Sequence, residues 1–249
     1  MKLDQQTECE YYSAEMQDLA ALVLLKDSGN TFLDIGCNKP KFCNNTFLLE
    51  KNGWKGICVD MEDFSEEFKK ERKTPFYQVD TTGQEFIEIL KEKFPKRFIH
   101  YISLDVDLAS LATLENLIRN GFTFAFMTFE HDIHWAMTYE RGIELQLDET
   151  AEWLCHGRTR DGVENTKYKS KKLLQDKGNT LLFENVCFHE KSTGEWLHPW
   201  EDWWINPIFF SYQFMLYLKV VMSKNLHFQD CFKRILLSRE IDGGITKIL

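Results

Sequence analysis

Five short apolar runs mark the first part of the chain, and each ends in an acid: TFLD at Asp34, GICVD at Asp60, FYQVD at Asp80, YISLDVD at Asp105 and Asp107, and FAFMTFE at Glu130. Their length and their aromatic and β-branched content predict strands. The acids at 34, 60, 80, 105 and 130 stand 26, 20, 25 and 25 residues apart. A strand, a turn, a helix and a return loop consume about that many residues, so the spacing predicts successive βα units of a parallel sheet. The intervening segments agree: Leu108, Leu111, Leu114 and Ile118 recur at helical spacing, as do Phe86, Leu90 and Phe94.

The fold class expected is therefore α/β, Rossmann-like, with a mostly parallel, doubly wound sheet, helices on both faces and a C-terminal elaboration. Residues 1–30 read as an N-terminal helical segment and 31–132 as a ligand-binding core. Residues 133–168 are polar and mixed, and read as an insertion or lid with a short helix over 148–155. A helix over 169–177 closes at Gly178, an apolar strand follows over 181–188, and a last helix begins near Ile208 and runs to about 237. No linker composition separates these parts, so 1–249 is read as a single domain. The apolar stretch from Ile208 to Met222 is shorter than the roughly 20 residues that cross a bilayer and reads as a buried helix, with self-association through it as the weaker reading.

Composition narrows the function classes. The 249 residues are 43% hydrophobic and 28% charged, enough for a real core. The formal net charge of −9 would repel a polyphosphate backbone, so a nucleic-acid partner is not expected. Seven cysteines, an odd number and never spaced as CxxC, support neither a disulfide framework nor a zinc ribbon. With no apolar N-terminal leader, the expected localisation is cytoplasmic.

In an open parallel sheet the ligand sits outside the carboxyl ends of the strands, so the acid-tipped ends converge on one rim. Clustered carboxylates repel one another, and such a rim suits a polyol, a cation or a metal. The first turn, Asp34-Ile35-Gly36-Cys37-Asn38-Lys39-Pro40-Lys41, keeps one glycine where a dinucleotide pyrophosphate needs several, and Pro40 lacks a donor N–H. S-adenosylmethionine has no phosphate and carries a sulfonium cation, which suits the acids better. Each single acid has an alternative reading as the cap of the following helix, Asp80 before Thr81 and Thr82 above all.

Residues 32–60, FLDIGCNKPKFCNNTFLLEKNGWKGICVD, resemble the opening of FkbM-type class I methyltransferases, matching at Asp34, Ile35, Gly36, Asn38, Asn45, Thr46, Leu49, Glu50, Lys51, Gly53, Trp54 and Gly56. YISLDVDLASLATLENL is similar to the family's fourth-strand segment, TFEHD to its fifth-strand end, and PWEDWWINP to an EDWW-type ending. Lys39-Pro40-Lys41 stands where the family has a glycine-containing loop. The resemblance implies a Rossmann-like class I methyltransferase fold and an O-methyltransferase using S-adenosyl-L-methionine on a carbohydrate or glycosylated small molecule. It places Asp34, Gly36, Cys37 and Asn38 at the methionine side, Asp60 and Met61 at the ribose and adenine, Asp80 and Thr81 at the adenine edge, and Asp105 at the sulfonium side.

Methyl transfer to a hydroxyl needs alignment and a destination for the proton. His131 is the candidate base, with Asp107 as a second catalytic candidate and His134 as the alternate. Glu130 and Asp132 flank His131, and two carboxylates are expected to raise its pKa. A second route uses Mg2+ held by Asp105, Glu130 and Asp132, hard oxygen ligands that would acidify the acceptor. Trp196, Trp200, Trp203 and Trp204 fit either a sugar-stacking wall or core packing. The function from another class is a catalytically degenerate binding module acting through the Trp-rich segment and the C-terminal helix.

Overall fold

The structure is a computed structural model that describes residues 11–25, 30–133, 160–190 and 195–222. Helix α1 (Gln17–Leu25) precedes β1 (Thr31–Ile35), α2 (Phe47–Lys51), β2 (Lys55–Asp60), α3 (Ser65–Glu71) and β3 (Phe76–Gln78). Then come α4 (Gln84–Lys93), β4 (Phe98–Leu104), α5 (Ser110–Arg119) and β5 (Thr123–Glu130). After these lie α6 (Arg160–Asp176), β6 (Thr180–Glu190), β7 (Glu195–Ile205) and α7 (Tyr212–Met222). Among the described residues the strands form one seven-stranded sheet in the order β3-β2-β1-β4-β5-β7-β6, in which β7 runs opposite to the other six. This is a Rossmann-like α/β fold.

Alternation along each strand sends side chains into two separate apolar layers. Phe32 and Cys58 enter the layer closed by Leu24 of α1, Leu49 of α2, Phe68 of α3 and Phe214 of α7. Leu33, Ile35, Ile57 and Val59 enter the other, closed by Phe86 and Leu90 of α4, Leu114 and Leu117 of α5 and Leu174 of α6. The chain builds outward from β1 to β3 under the first layer, crosses by α4 on the opposite face, and resumes at β4 on the other side of β1. That reversal between β1 and β4 is where such a sheet opens a cleft.

Three expectations change. The helix expected over 169–177 begins at Arg160, so the last residues assigned to the insertion are helical; the helix expected over 148–155 lies outside the described residues. Leu108, expected on the inner face of a helix, is exposed in a 3-10 turn that precedes α5. The Trp-rich segment is a full strand, β7, wedged between β5 and β6. Its Pro199, which argues against a strand in sequence, pairs only with the irregular part of β6, where register shifts surround Val186 and Cys187. Trp203 and Trp204 are fully buried, one in each apolar layer, so for these two core packing is what the structure shows.

Helix α7 is apolar on both sides: Phe214 and Leu218 are buried, while Tyr212, Leu216 and Val220 are exposed. Among the described residues no helix is long and apolar enough to cross a membrane.

Candidate active site

A cavity of about 830 Å³ opens over the carboxyl ends of β1, β2 and β4, at the switch in strand order. Its tight floor depends on Gly36. Gly36 N–H donates to Val59 O at 2.9 Å, and Asp105 N–H donates to Ile35 O at 2.9 Å, so the three strands stay laced to the rim. A Cβ on Gly36 would stand 1.6 Å from the Asp105 carbonyl oxygen, and its φ is +76°. The glycine is needed for the approach of two backbones as well as for the turn. Asn38, Cys43, Asp107 and Asp132, all in or beside the cavity wall, adopt left-handed backbone that costs non-glycine residues energy and persists only where surroundings enforce it.

For the loop after β1 the enforcing group is Asn44. Its Nδ2 donates to Asp34 Oδ2, Cys37 O and Lys39 O at 3.1–3.2 Å, and its Oδ1 accepts from the Thr46 and Phe47 N–H groups at the start of α2. Arg72, fully buried, donates to Asn44 Oδ1, to the Pro40 carbonyl and to Glu50. Backbone and side-chain hydrogen bonds from Lys73 and Thr74 add to the Glu50 end. Burial alone would raise Glu50, but these bonds outweigh it and its pKa falls. The segment Lys39-Pro40-Lys41 is thus held from outside the cavity by a cation, without the glycines expected of such a loop.

The carboxylates divide by environment. Asp34 is buried and accepts from Thr46 Oγ1 at 2.7 Å; burial pushes its pKa up to about 6. Asp60 accepts from the N–H of Asn38 at 2.9 Å and of Glu62 at 3.0 Å, which ties the first loop to the end of β2. Asp105 is exposed to the cavity, and the density of protein around that cavity still desolvates it enough to lift its pKa to about 6. Glu130 rises further through burial and then through the charge of Asp105, to which it is hydrogen-bonded. Among the described residues, ligand oxygens of Asp107, Glu130 and Asp132 lie within 4.8 Å of one another, and Glu130 Oε2 is buried without a hydrogen bond.

Glu201 on β7 is the least expected member. It is buried in the cavity wall beside Glu130, its register partner across β5, and accepts at Oε1 from Gln17 Nε2 at 3.0 Å and Trp203 Nε1 at 2.5 Å. Burial raises its pKa from 4.5 to about 8. Between those values the folded chain keeps a proton that the unfolded chain has released, so stability falls as pH rises, by up to about 1.4 kcal/mol per pH unit. Asp34 and Asp105 have ionised by about pH 7, while Glu130, whose pKa is also raised by burial, adds to the slope alongside Glu201. Urea unfolding between about pH 6.5 and 8 should show this slope in the native chain and a shallower one in Glu201→Gln; an equal slope in both would show that Glu201 does not contribute to it.

No family model and no curated protein matches the chain. Among solved structures it is similar to a protein of Thermobifida fusca YX provisionally described as a methyltransferase, at 19% identity and a TM-score of 0.31. The alignment covers 45% of this chain and 52% of that one, so the chain spans about half the length of the structure it matches.

Of the residues singled out in the sequence, Asp34, Gly36, Cys37, Asn38, Asp60, Met61, Thr81, Asp105, Asp107 and Glu130 line the cavity. Asp80 is exposed outside it and accepts from Thr82 N–H and Oγ1 in a local turn, while the helix that follows is capped at Gly83, so Asp80 is not the helix cap of its alternative reading either. His131 is also outside. Its Nδ1 accepts from the Ile133 N–H, so Nε2 carries the proton and faces Asp202 at 3.3 Å. The expected upward shift is reversed: burial dominates and lowers the His131 pKa, despite the opposing hydrogen bond to Asp202. The metal triad regroups as well, with Asp107 in place of Asp105 beside Glu130 and Asp132. His134 lies outside the described residues. Sequence reasoning missed Gln17, Asn44, Arg72 and Glu201. The one legible signal was the acid inside EDWW, an ionisable group among tryptophans on a strand.

Proposed function

We propose that the chain is an S-adenosylmethionine-dependent O-methyltransferase of the FkbM type, acting on a hydroxyl of a carbohydrate or glycosylated small molecule. The observation that carries this reading is the charge of the cavity. Among its described lining residues, Asp34, Asp60, Glu62, Asp105, Asp107, Glu130 and Glu201 face a single cation, Lys39. A pyrophosphate would be repelled there, whereas a sulfonium is attracted, and the motif residues Asp34, Gly36, Cys37 and Asn38 line the cavity together with Asp60 and Met61. When bound, S-adenosylmethionine supplies the activated methyl group. The turn at Gly36 to Asn38 would hold its amino-acid end, and Asp60, with lone pairs left on both oxygens, would accept from the ribose hydroxyls.

Asp105 is the group placed to take the acceptor's proton, since it opens to the cavity while both ring nitrogens of His131 are engaged elsewhere. The hard oxygens of Asp107, Glu130 and Asp132 fit a divalent ion such as Mg2+. Held there, the ion would supply acidity to the acceptor hydroxyl.

Asp60→Ala should weaken S-adenosylmethionine binding by about 1.5–3 kcal/mol, the worth of charge-assisted hydrogen bonds, in calorimetric titration of a chain whose melting temperature is checked in parallel. A native chain that takes up no S-adenosylmethionine at millimolar concentration refutes the enzymatic reading and leaves the degenerate binding module.

A further inference from the structure

The loop after β1 has few backbone donors left to offer a ligand. Gly36 N–H and Cys37 N–H both donate to Val59 O, at 2.9 and 3.2 Å, and Asn38 N–H donates to Asp60 Oδ2 at 2.9 Å. Pro40 has no N–H at all. A glycine-rich loop would present free N–H groups to an anion. Here, at the turn assigned to the amino-acid end of S-adenosylmethionine, a carboxylate would meet three donors already engaged and a cavity wall that carries Asp34, Asp60, Glu62, Asp105, Asp107, Glu130 and Glu201. Those charges repel it.

Lys39 is the group in the wall that can answer this repulsion. Its backbone is clamped on both sides: its own carbonyl accepts from Asn44 Nδ2 at 3.2 Å, the Pro40 carbonyl accepts from Arg72 Nη1 at 3.0 Å, and a following proline narrows the conformations open to Lys39. Its side chain is exposed, lines the cavity and, among the described residues, forms no ion pair with any of the seven acids. Lys41 differs. It is paired with Glu71 at 3.1 Å, lies over the Phe47 ring and is not part of the lining.

We propose that Lys39 is a specificity-determining residue of the cofactor pocket: its ammonium pairs with the carboxylate of S-adenosylmethionine, in place of the backbone N–H groups of a glycine-rich loop, and so admits ligands that carry this carboxylate over those that lack it. The inference rests on the S-adenosylmethionine reading and adds the partner of that ligand's one negative charge. The ligand has two positive centres, the sulfonium and the ammonium, and one carboxylate; the described wall has the complement, seven acids and one cation. Because the backbone of Lys39 is already fixed, pairing orders only the side chain.

A general field and a specific pair predict opposite signs for Lys39→Met. S-adenosylmethionine is a net cation, so removing a positive charge from the wall would by the field alone tighten its binding. Loss of a pair weakens it. Calorimetric titration of the full chain at low salt with S-adenosylmethionine, S-adenosylhomocysteine and decarboxylated S-adenosylmethionine reads the difference. In Lys39→Met the two carboxylate-bearing ligands are expected to bind at least about fivefold more weakly, the worth of a partly exposed ion pair, while the decarboxylated ligand binds as tightly as to the native chain or more so. Lys39→Arg, which keeps the cation, should stay within about threefold of native for all three. The Asn44 and Arg72 clamps hold backbone carbonyls, so both variants are expected to keep the native melting temperature. Unchanged or tighter S-adenosylmethionine binding in Lys39→Met overturns the proposal. So does an equal loss for all three ligands, which would show that Lys39 shapes the loop without meeting the carboxylate. A native chain that binds none of the three removes the S-adenosylmethionine reading and the pair together, whereas native binding that Lys39→Met leaves unaltered removes the pair alone.

Discussion

Gly36→Ala is expected to destabilise the chain by at least about 4 kcal/mol, among the largest effects a single methyl group produces. Two costs combine. A non-glycine residue at φ +76° loses about 1–2 kcal/mol by itself. The new Cβ also stands 1.6 Å from the carbonyl oxygen of Asp105, a backbone atom that cannot rotate away. Relief requires β1 and β4 to separate at the rim where the cavity forms. For a domain of this size the melting temperature should fall by roughly 10 °C or more. Gly53→Ala is the control, because its φ is +82° and a Cβ there meets nothing within 4 Å; it should show only the conformational part. Equal losses in the two variants would show that the close approach at Gly36 is unimportant.

The second large effect is expected at Arg72, which Asn44 links by hydrogen bonds to Asp34. Arg72→Met should cost about 3–5 kcal/mol, since it leaves Glu50 charged and half buried without its cation and strips a donor from Asn44 and from the Pro40 carbonyl. Asn44 would then hold the loop after β1 alone, so binding at the Asp34 to Asn38 wall should weaken as well. Denaturant unfolding and S-adenosylmethionine titration of the variant measure the two consequences. Lost stability with unchanged binding would mean that Arg72 supports the fold without shaping the cavity. A double variant with Glu50→Gln should recover part of the stability, because the stranded charge is gone.

Local pattern alone determined the scaffold. The acids at the ends of five apolar runs mark β1 to β5 and their order along the chain, because strand length, β-branched content and a recurrent βα spacing are properties of contiguous residues. The same locality explains why most acids named in advance do line one cavity: residues at the carboxyl ends of parallel strands must share an edge. Pro199 and the dense tryptophans concealed β7, since a strand buried on both faces lacks alternation and its proline is tolerated only by the irregular pairing with β6. Only the tertiary structure decided which titratable groups face the cavity and in what state. His131 and Glu130 are adjacent in sequence, yet the histidine is buried against Asp202 with its pKa lowered while the glutamate lines the cavity with its pKa raised. Glu201 and Gln17 lie 184 residues apart and meet because α1 packs over β5, whose neighbour in the sheet is β7. Burial, facing and hydrogen-bond partners are set by contacts between distant segments, and protonation follows from them, so no window of sequence contains that information.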